Sequence, residues 1–366
     1  MTVYRQIFIG FATTAAISLL GACASVDPES VSDSAGMTLG TGAPVKPAGE
    51  TAAVGTRVRD AADDPEIWAD PRDPSRGVIF GTDKQAGLYV YDLAGKDLQF
   101  LADGPLNNVD LRDGFMVGGK AQVLVGASDR GRGAMAFYLL DPDTLKVTLW
   151  GRVPVKVSEP YGFCMGRLKD QMVAVMVGKD GDIHQFAISD QDGKPAATLM
   201  RDFPIGSQSE GCVVDDVAGL LYIAEEAHGI WRFPLDPIGA ARHLMAPAPS
   251  DILKPDVEGL TLLREGSKTY LLASSQGDSA FAVWRVDAPE PAYVGRFSVI
   301  PGNGVDAVTG TDGLAALGGR VGAFPEGLVV VQDDSDTDGE TSSGPRARQN
   351  FKLIDWREVK AALKSD

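Results

Sequence analysis

The chain has 366 residues, 44% of them hydrophobic and 23% charged, which is the balance of a globular protein rather than of a disordered or collagen-like chain. Fifty Asp and Glu against 34 Lys and Arg leave a net charge of −16, which repels nucleic acid and anionic lipid and argues against both as partners. An acidic protein can still hold an anionic substrate when cations stand between the two.

Arg5 is the only charge ahead of an apolar stretch from Ile7 to Leu20, which is too short for a comfortable membrane span. The stretch ends in Leu20-Gly21-Ala22-Cys23, and small residues before a cysteine resemble the bacterial lipobox. Residues 1–22 therefore read as a lipoprotein signal peptide with Cys23 as the lipid attachment point. An ordinary cleaved signal peptide that happens to carry a cysteine is the plainer alternative. Ala24, not Asp, follows the cysteine, which by that resemblance implies an outer-membrane lipoprotein; other exported locations are periplasmic or extracellular. Residues 23–51 are rich in Ser, Gly, Ala, Pro and Asp and read as a flexible tether. The rest, 52–366, reads as one domain.

In that domain apolar runs of strand length recur: Val78–Gly81, Gly87–Leu93, Gln122–Ala127, Ala134–Leu140, Met172–Val177, Leu220–Ala224, Gly229–Phe233, Tyr270–Ala273, Ala280–Val286 and Gly327–Val331. Turn-forming pairs separate them, among them Asp103-Gly104, Asp113-Gly114, Asp180-Gly181, Asp192-Gly193 and Asp312-Gly313. Short strands at this spacing predict an all-β fold. The length exceeds a usual sandwich and fits a six-bladed β-propeller at roughly 40–50 residues per blade. No crisp repeat is visible, although Gly87–Tyr91, Gly229–Phe233 and Ala280–Trp284 resemble one another and suit equivalent strands of different blades. One helix is predicted, from about Trp356 to Leu363, where Trp356, Val359 and Leu363 share a face.

Several acidic residues sit beside Gly, Pro or polar turn residues rather than on helical faces: Asp63, Asp64, Glu210, Glu258, Asp306 and Asp312. At strand ends of a propeller such carboxylates can converge on the channel mouth, where they repel one another unless cations neutralise them. Oxygen ligands without His or Cys at ligand spacing select a hard ion, Ca²⁺ before Zn²⁺. For any single acid the bland reading is a solvated loop carboxylate.

Two blocks carry a family resemblance. Asp60-Ala-Ala-Asp63-Asp64-Pro65-Glu66-Ile67-Trp68 resembles the DA-x-DDP-x-IW signature of β-propeller phytases, and Asn107-Asn108-Val109-Asp110-Leu111-Arg112 resembles their NNVD-x-R block. Seven further matches follow in the same order, from Tyr161-Gly162-Phe163 to Gln349-Asn350-Phe351-Lys352. The resemblance spans about Asp60 to Trp356 and implies a calcium-dependent phytase in which metal-held water attacks phosphorus with no covalent enzyme intermediate. It implies that Asp63, Glu210, Glu258, Asp306 and Asp312 surround catalytic Ca²⁺, with Tyr161 adding its phenol. Lys84 and Arg130 match basic residues at the scissile phosphate, where a guanidinium can pair two phosphate oxygens. Lys179 and Glu226 match a second, non-cleaving phosphate site. Asp64, the Pro65 carbonyl, Asn108 and the Val109 carbonyl match a structural calcium site. The expected partners are phytate and lower inositol phosphates as calcium complexes, taken by a monomer.

One departure stands out. The family commonly has two adjacent lysines after Thr-Asn, whereas this chain reads Thr82-Asp83-Lys84-Gln85, so Gln85 lacks the second ammonium. With Cys23 lipidated, Cys164 and Cys212 remain, and export favours a bridge between them; two buried thiols are the alternative. The acidic run Asp333–Glu340 fails as an EF-hand, because a loop begun at Asp334 would have Pro345 where a bidentate Glu is needed. A solvated acidic loop or a weak peripheral ion site is the expected state. His184, His228 and His243 are the only histidines, none in an Arg-His-Gly context, and no Gly-x-Ser-x-Gly elbow occurs. Two other readings stay open: a lactonase-like propeller hydrolase with one channel calcium and no basic clamp, and a non-catalytic binding propeller.

Overall fold

The computed structural model describes residues 40–57, 60–238, 241–335 and 348–364, together with Met1. Six sheets, antiparallel except for one added parallel strand, form six blades around a central channel. In chain order the innermost strands are Ala62–Asp70, Leu106–Val117, Pro160–Leu168, Ser209–Asp215, Val257–Glu265 and Leu314–Gly318. Each neighbours the next, and the sixth returns to the first, so the ring closes. The six-bladed propeller expected from strand spacing is what the chain forms.

The physics of stacked blades explains the sequence pattern. A blade is covered on both faces by its neighbours, so its middle strands read as nearly continuous apolar runs instead of alternating ones. Gln171–Gly178 is buried at every position after the first. The outer strand of the same blade, Lys194–Pro204, has no fully buried residue. The core is accordingly divided into six apolar clusters, one at each interface between blades. Trp68 and Phe80 of the first blade meet Tyr138 and Leu140 of the second. The segments Gly87–Asp92, Gly229–Pro234 and Ala280–Arg285 are indeed equivalent, each being the third strand of its blade.

The N-terminal part of the domain departs from the expected tether. Ala43–Val45 pairs in parallel with the outer strand Ala292–Val299 of the fifth blade. Gly49–Glu50 supplies the fourth strand of the sixth blade, antiparallel to Asn350–Asp355. The earliest described strands thus complete the last two blades, because each leaves an outer edge with unpaired backbone groups that another strand can satisfy. Asp113-Gly114 is also not a turn. It lies inside the inner strand Leu106–Val117, where pairing shifts between Arg112 and Phe115 and Gly114 takes a φ of 69°. The single α-helix among the described residues, Trp356–Leu363, has Asp355 as its N-cap and buries Trp356 and Val359. No helix of the described residues is long and apolar enough to cross a membrane. Cys23 and residues 336–347 lie outside the described residues.

Candidate active site at the channel mouth

The inner strands share an irregularity near their starts. Pairing with the second strand slips between Ala62 and Pro65, Leu106 and Val109, Pro160 and Phe163, Ser209 and Cys212, and Val257 and Leu260. Each slip leaves two residues outside the ladder: Asp63-Asp64, Asn107-Asn108, Tyr161-Gly162, Glu210-Gly211 and Glu258-Gly259. In the sixth blade Asp312-Gly313 stands immediately before the strand. A bulge re-aims side chains. Five repeated around a ring place polar residues of five blades at one end of the channel.

The glycines are needed by the neighbouring blade. A Cβ at Gly162 would sit 1.8 Å from the Glu210 carbonyl oxygen, and one at Gly211 would sit 2.1 Å from that of Glu258. At Gly313 a Cβ would meet Asp64 Oδ1 at 2.3 Å. Backbone bonds continue the series, with Gly259 N donating to Asp312 O and Gly313 N to Asp63 O, each at 3.1 Å. Glu210, Glu258, Asp312 and Asp63 are therefore each located by the glycine of the preceding blade.

The side chains form one connected group. Carboxylate oxygens of Glu210, Glu226 and Glu258 lie within 4.8 Å of one another, and all three residues are buried. Glu226 was expected at a second phosphate site, and the structure places it in this trio. Lys84 Nζ lies 3.1 Å from Asp63 Oδ1, 3.1 Å from Asp312 Oδ2 and also against Asp60. Gln276 Nε2 donates to Asp312 Oδ1 at 2.5 Å. Arg130 lies 5.6 Å above the Tyr161 ring and Lys179 lies 5.0 Å from it, so the phenol is flanked by two cations. Arg130 is further held by Glu159 at 2.6 Å and by Asn107 Oδ1 at 3.0 Å.

Burial sets the electrostatics. Burial first, and then neighbouring carboxylates, chiefly Asp63 for Glu210 and Glu226 for Glu258, push both carboxyls well above the usual range. Burial raises Asp312 to about 7, with Lys84 opposing and Asp63 adding to the rise. Burial works against the Lys84 ammonium, but Asp312, Asp60 and Asp63 more than offset it and hold its pKa well above the ordinary lysine value. Glu258 Oε2 and Asp63 Oδ2 are buried without a hydrogen-bond partner. Buried carboxylates crowded in this way and lacking donors need a cation or protons. An all-oxygen donor set of this kind fits a hard divalent ion.

Asp64, Pro65, Asn108 and Val109, the expected structural site, line a cavity of about 290 Å³ inside the channel. Asp64 Oδ2 accepts from Val109 N there at 2.9 Å. Asp306 goes elsewhere. It pairs with Lys352 Nζ at 2.5 Å in a second group, with buried Asp333 at 3.0 Å and the partly exposed Glu50 at 2.7 Å. A fully buried ammonium needs several acceptors, and these acids supply them. Asp333 and Asp334, expected in a solvated loop, are buried for this reason and because Gln349 Nε2 donates to Asp334 Oδ1 at 2.8 Å. Cys164 and Cys212 are joined by a disulfide, Cα–Cα 5.7 Å, between the inner strands of the third and fourth blades.

The family model described as Phytase matches residues 10–366. A 3-phytase of Bacillus subtilis (strain 168) is 37% identical over 313 residues, covering 82% of this chain and 80% of the relative. The chain belongs to the phytase family. It is accordingly a phosphoric monoester hydrolase. Likeness to solved structures is more distant. A lectin of Aleuria aurantia gives a TM-score of 0.44 at 10% identity, covering 63% of this chain and 76% of the lectin. A protein of Desulfotomaculum acetoxidans gives 0.42 at 13% identity, covering 63% and 70%.

Within this phytase, sequence reasoning passed over four residues that the structure ties to the site: Asp60, Asn107, Glu159 and Gln276. Asp60 and Asn107 open the two signature blocks, so their position was the available signal. Gln276 stands in the matched block Ala273–Gly277, whereas Glu159 lies in none and reaches Arg130 only through the fold.

Proposed function

We propose that this phytase is a calcium-dependent 3-phytase, acting on calcium complexes of phytate and lower inositol phosphates. The observation that carries the reading is the buried trio Glu210, Glu226 and Glu258, with the charge of Lys84 acting on Glu210 and Arg130 joined to Glu210 through Asn107. Such a trio is tolerable when a hard cation shares it, and the neighbouring cations suit the phosphate oxygens.

Glu210, Glu226 and Glu258, with Asp63, Asp312 and the Tyr161 phenol, would hold calcium, while Asp64, Asn108 and the carbonyls of Pro65 and Val109 would hold a structural ion. Bound calcium supplies charge neutralisation and lowers the pKa of water that serves as nucleophile. Lys84 and Arg130 bind the phosphoryl oxygens and balance the charge that accumulates on them in the transition state. Lys179, stacked over Tyr161, binds a second phosphate of the same substrate. Gln85 contributes no charge there, which weakens the grip on a neighbouring phosphate without touching the first. A lactonase-like site or a binding propeller uses Lys84 and Arg130 only as partners of neighbouring carboxylates, not as a phosphate clamp.

The same reading has the chain exported with a lipid on Cys23, working as a monomer outside the cytoplasm. The deciding experiment is phosphate release from calcium phytate. Activity abolished by a chelator and restored by Ca²⁺ is the expected result. Activity that rises steadily as calcium is withdrawn overturns it.

A further inference from the structure

Around the channel mouth the first bulge residue is Asp63, Tyr161, Glu210 or Glu258 in four blades and an amide, Asn107, in the second. Asn107 is fully buried. Its Nδ2 donates to Glu210 Oε1 at 2.7 Å, and its Oδ1 accepts from Arg130 Nη1 at 3.0 Å. Those partners fix the orientation, since a guanidinium can only donate and a carboxylate can only accept. A carboxylate in this place would lose the bond to Glu210 and add a further negative charge. A lysine would lose the bond to Arg130.

We infer that Asn107 is a positioning residue whose amide ties the phosphate-binding guanidinium of Arg130 to the carboxylate of Glu210, so that the two halves of the site keep one spacing. The inference rests on the phytase reading of that site. Glu159 holds the opposite edge of the guanidinium, with Nε at 2.7 Å and Nη2 at 2.6 Å. Arg130 is thus gripped on two sides, and the Asn107 amide bridges it to Glu210 with a hydrogen bond at each end. Without the amide, Arg130 follows Glu159 away from the trio. Phosphate binding and metal binding then cease to reinforce one another.

The test compares wild type, Asn107→Leu, Asn107→Ser, Arg130→Met and both double variants, with phosphate release from calcium phytate and melting temperature measured across one calcium titration. Asn107→Leu should lower kcat/KM about 10- to 100-fold, as loss of an orienting partner does at other metal sites. Combined with Arg130→Met, it should cost less than twofold more, because the amide acts through the guanidinium. The half-saturating calcium concentration should rise in Asn107→Leu and in Asn107→Ser. Should Asn107→Leu not fold, the Asn107→Ser cycle with Arg130→Met decides in its place. Effects that multiply with Arg130→Met, or single variants within twofold of wild type, overturn the inference. An inactive wild type would instead overturn the phytase reading beneath it.

Discussion

Lys352→Met is the sharpest test of how the last blade is held. Lys352 Nζ is fully buried and has four acceptors: Asp306 at 2.5 Å, Glu50 at 2.7 Å, Asn350 Oδ1 at 2.9 Å and Asp333 at 3.0 Å. Methionine keeps the length and removes the charge, leaving Asp306 and Asp333 buried without this counter-ion. Breaking a buried ion cluster by deleting one partner costs about 3–5 kcal/mol. A domain of roughly 300 residues has an unfolding entropy near 0.6 kcal/mol per kelvin, so the melting temperature should fall by about 5–8 °C. Urea unfolding followed by tryptophan fluorescence, with chelator present so that no metal replaces the ammonium, measures the free-energy loss directly. Adding Asp333→Asn to Lys352→Met should recover part of the loss. An amide there keeps Oδ1 toward Thr309 N, which it accepts from at 3.0 Å, and no longer buries a charge. A loss under about 1 kcal/mol, or no recovery in the double variant, refutes the reasoning.

Three further outcomes are expected. Replacing both Cys164 and Cys212 by Ala opens a loop closed over 48 residues, which on loop entropy alone should cost about 4 kcal/mol in urea unfolding; mass spectrometry should find neither thiol free in the wild type. Gly211→Ala forces a Cβ against the Glu258 carbonyl and should cost about 1–3 kcal/mol together with most of the phosphate release. Gly49→Ala, with nothing near the added Cβ, should leave both unchanged. Asp70 is held down to about 2 from 3.8, chiefly by its hydrogen bond with Arg72. A depressed folded pKa stabilises above the unfolded value and fades as pH falls, so the stability gap between wild type and Asp70→Asn should narrow from pH 3.8 toward pH 2. A gap that is flat over that window counts against the pairing.

Much of the fold is legible in the amino-acid sequence alone. Ala134–Leu140 and Trp356–Leu363 fall where apolar patterning puts them, because blade strands and a capped helix are locally encoded. The repeat is hidden. Asp63, Asn107, Tyr161, Glu210 and Glu258 are equivalent by their bulges, roughly 45–55 residues apart, yet their chemistry differs and no self-similarity results. Asp113-Gly114 misleads for the opposite reason, since a residue pair that suits a turn also suits a bulge. The burial of Asp333 is invisible in sequence because its partner, Lys352, is brought by another strand. The polar residues of the site are legible individually, whereas their grouping, including the arrival of Glu226 and the departure of Asp306, depends on how six blades meet.

The way the ring is stitched has a consequence for synthesis. Ala43–Val45 and Gly49–Glu50 leave the ribosome early, but their partners Ala292–Val299 and Asn350–Asp355 arrive near the end. Four blades can be assembled while the first-made strands still wait. The seam then closes once, joining head to tail, and the contact between Glu50 and Lys352 is among the last to form. A chain cut short before Asn350 would therefore lack its fastening while keeping nearly every residue of the channel mouth.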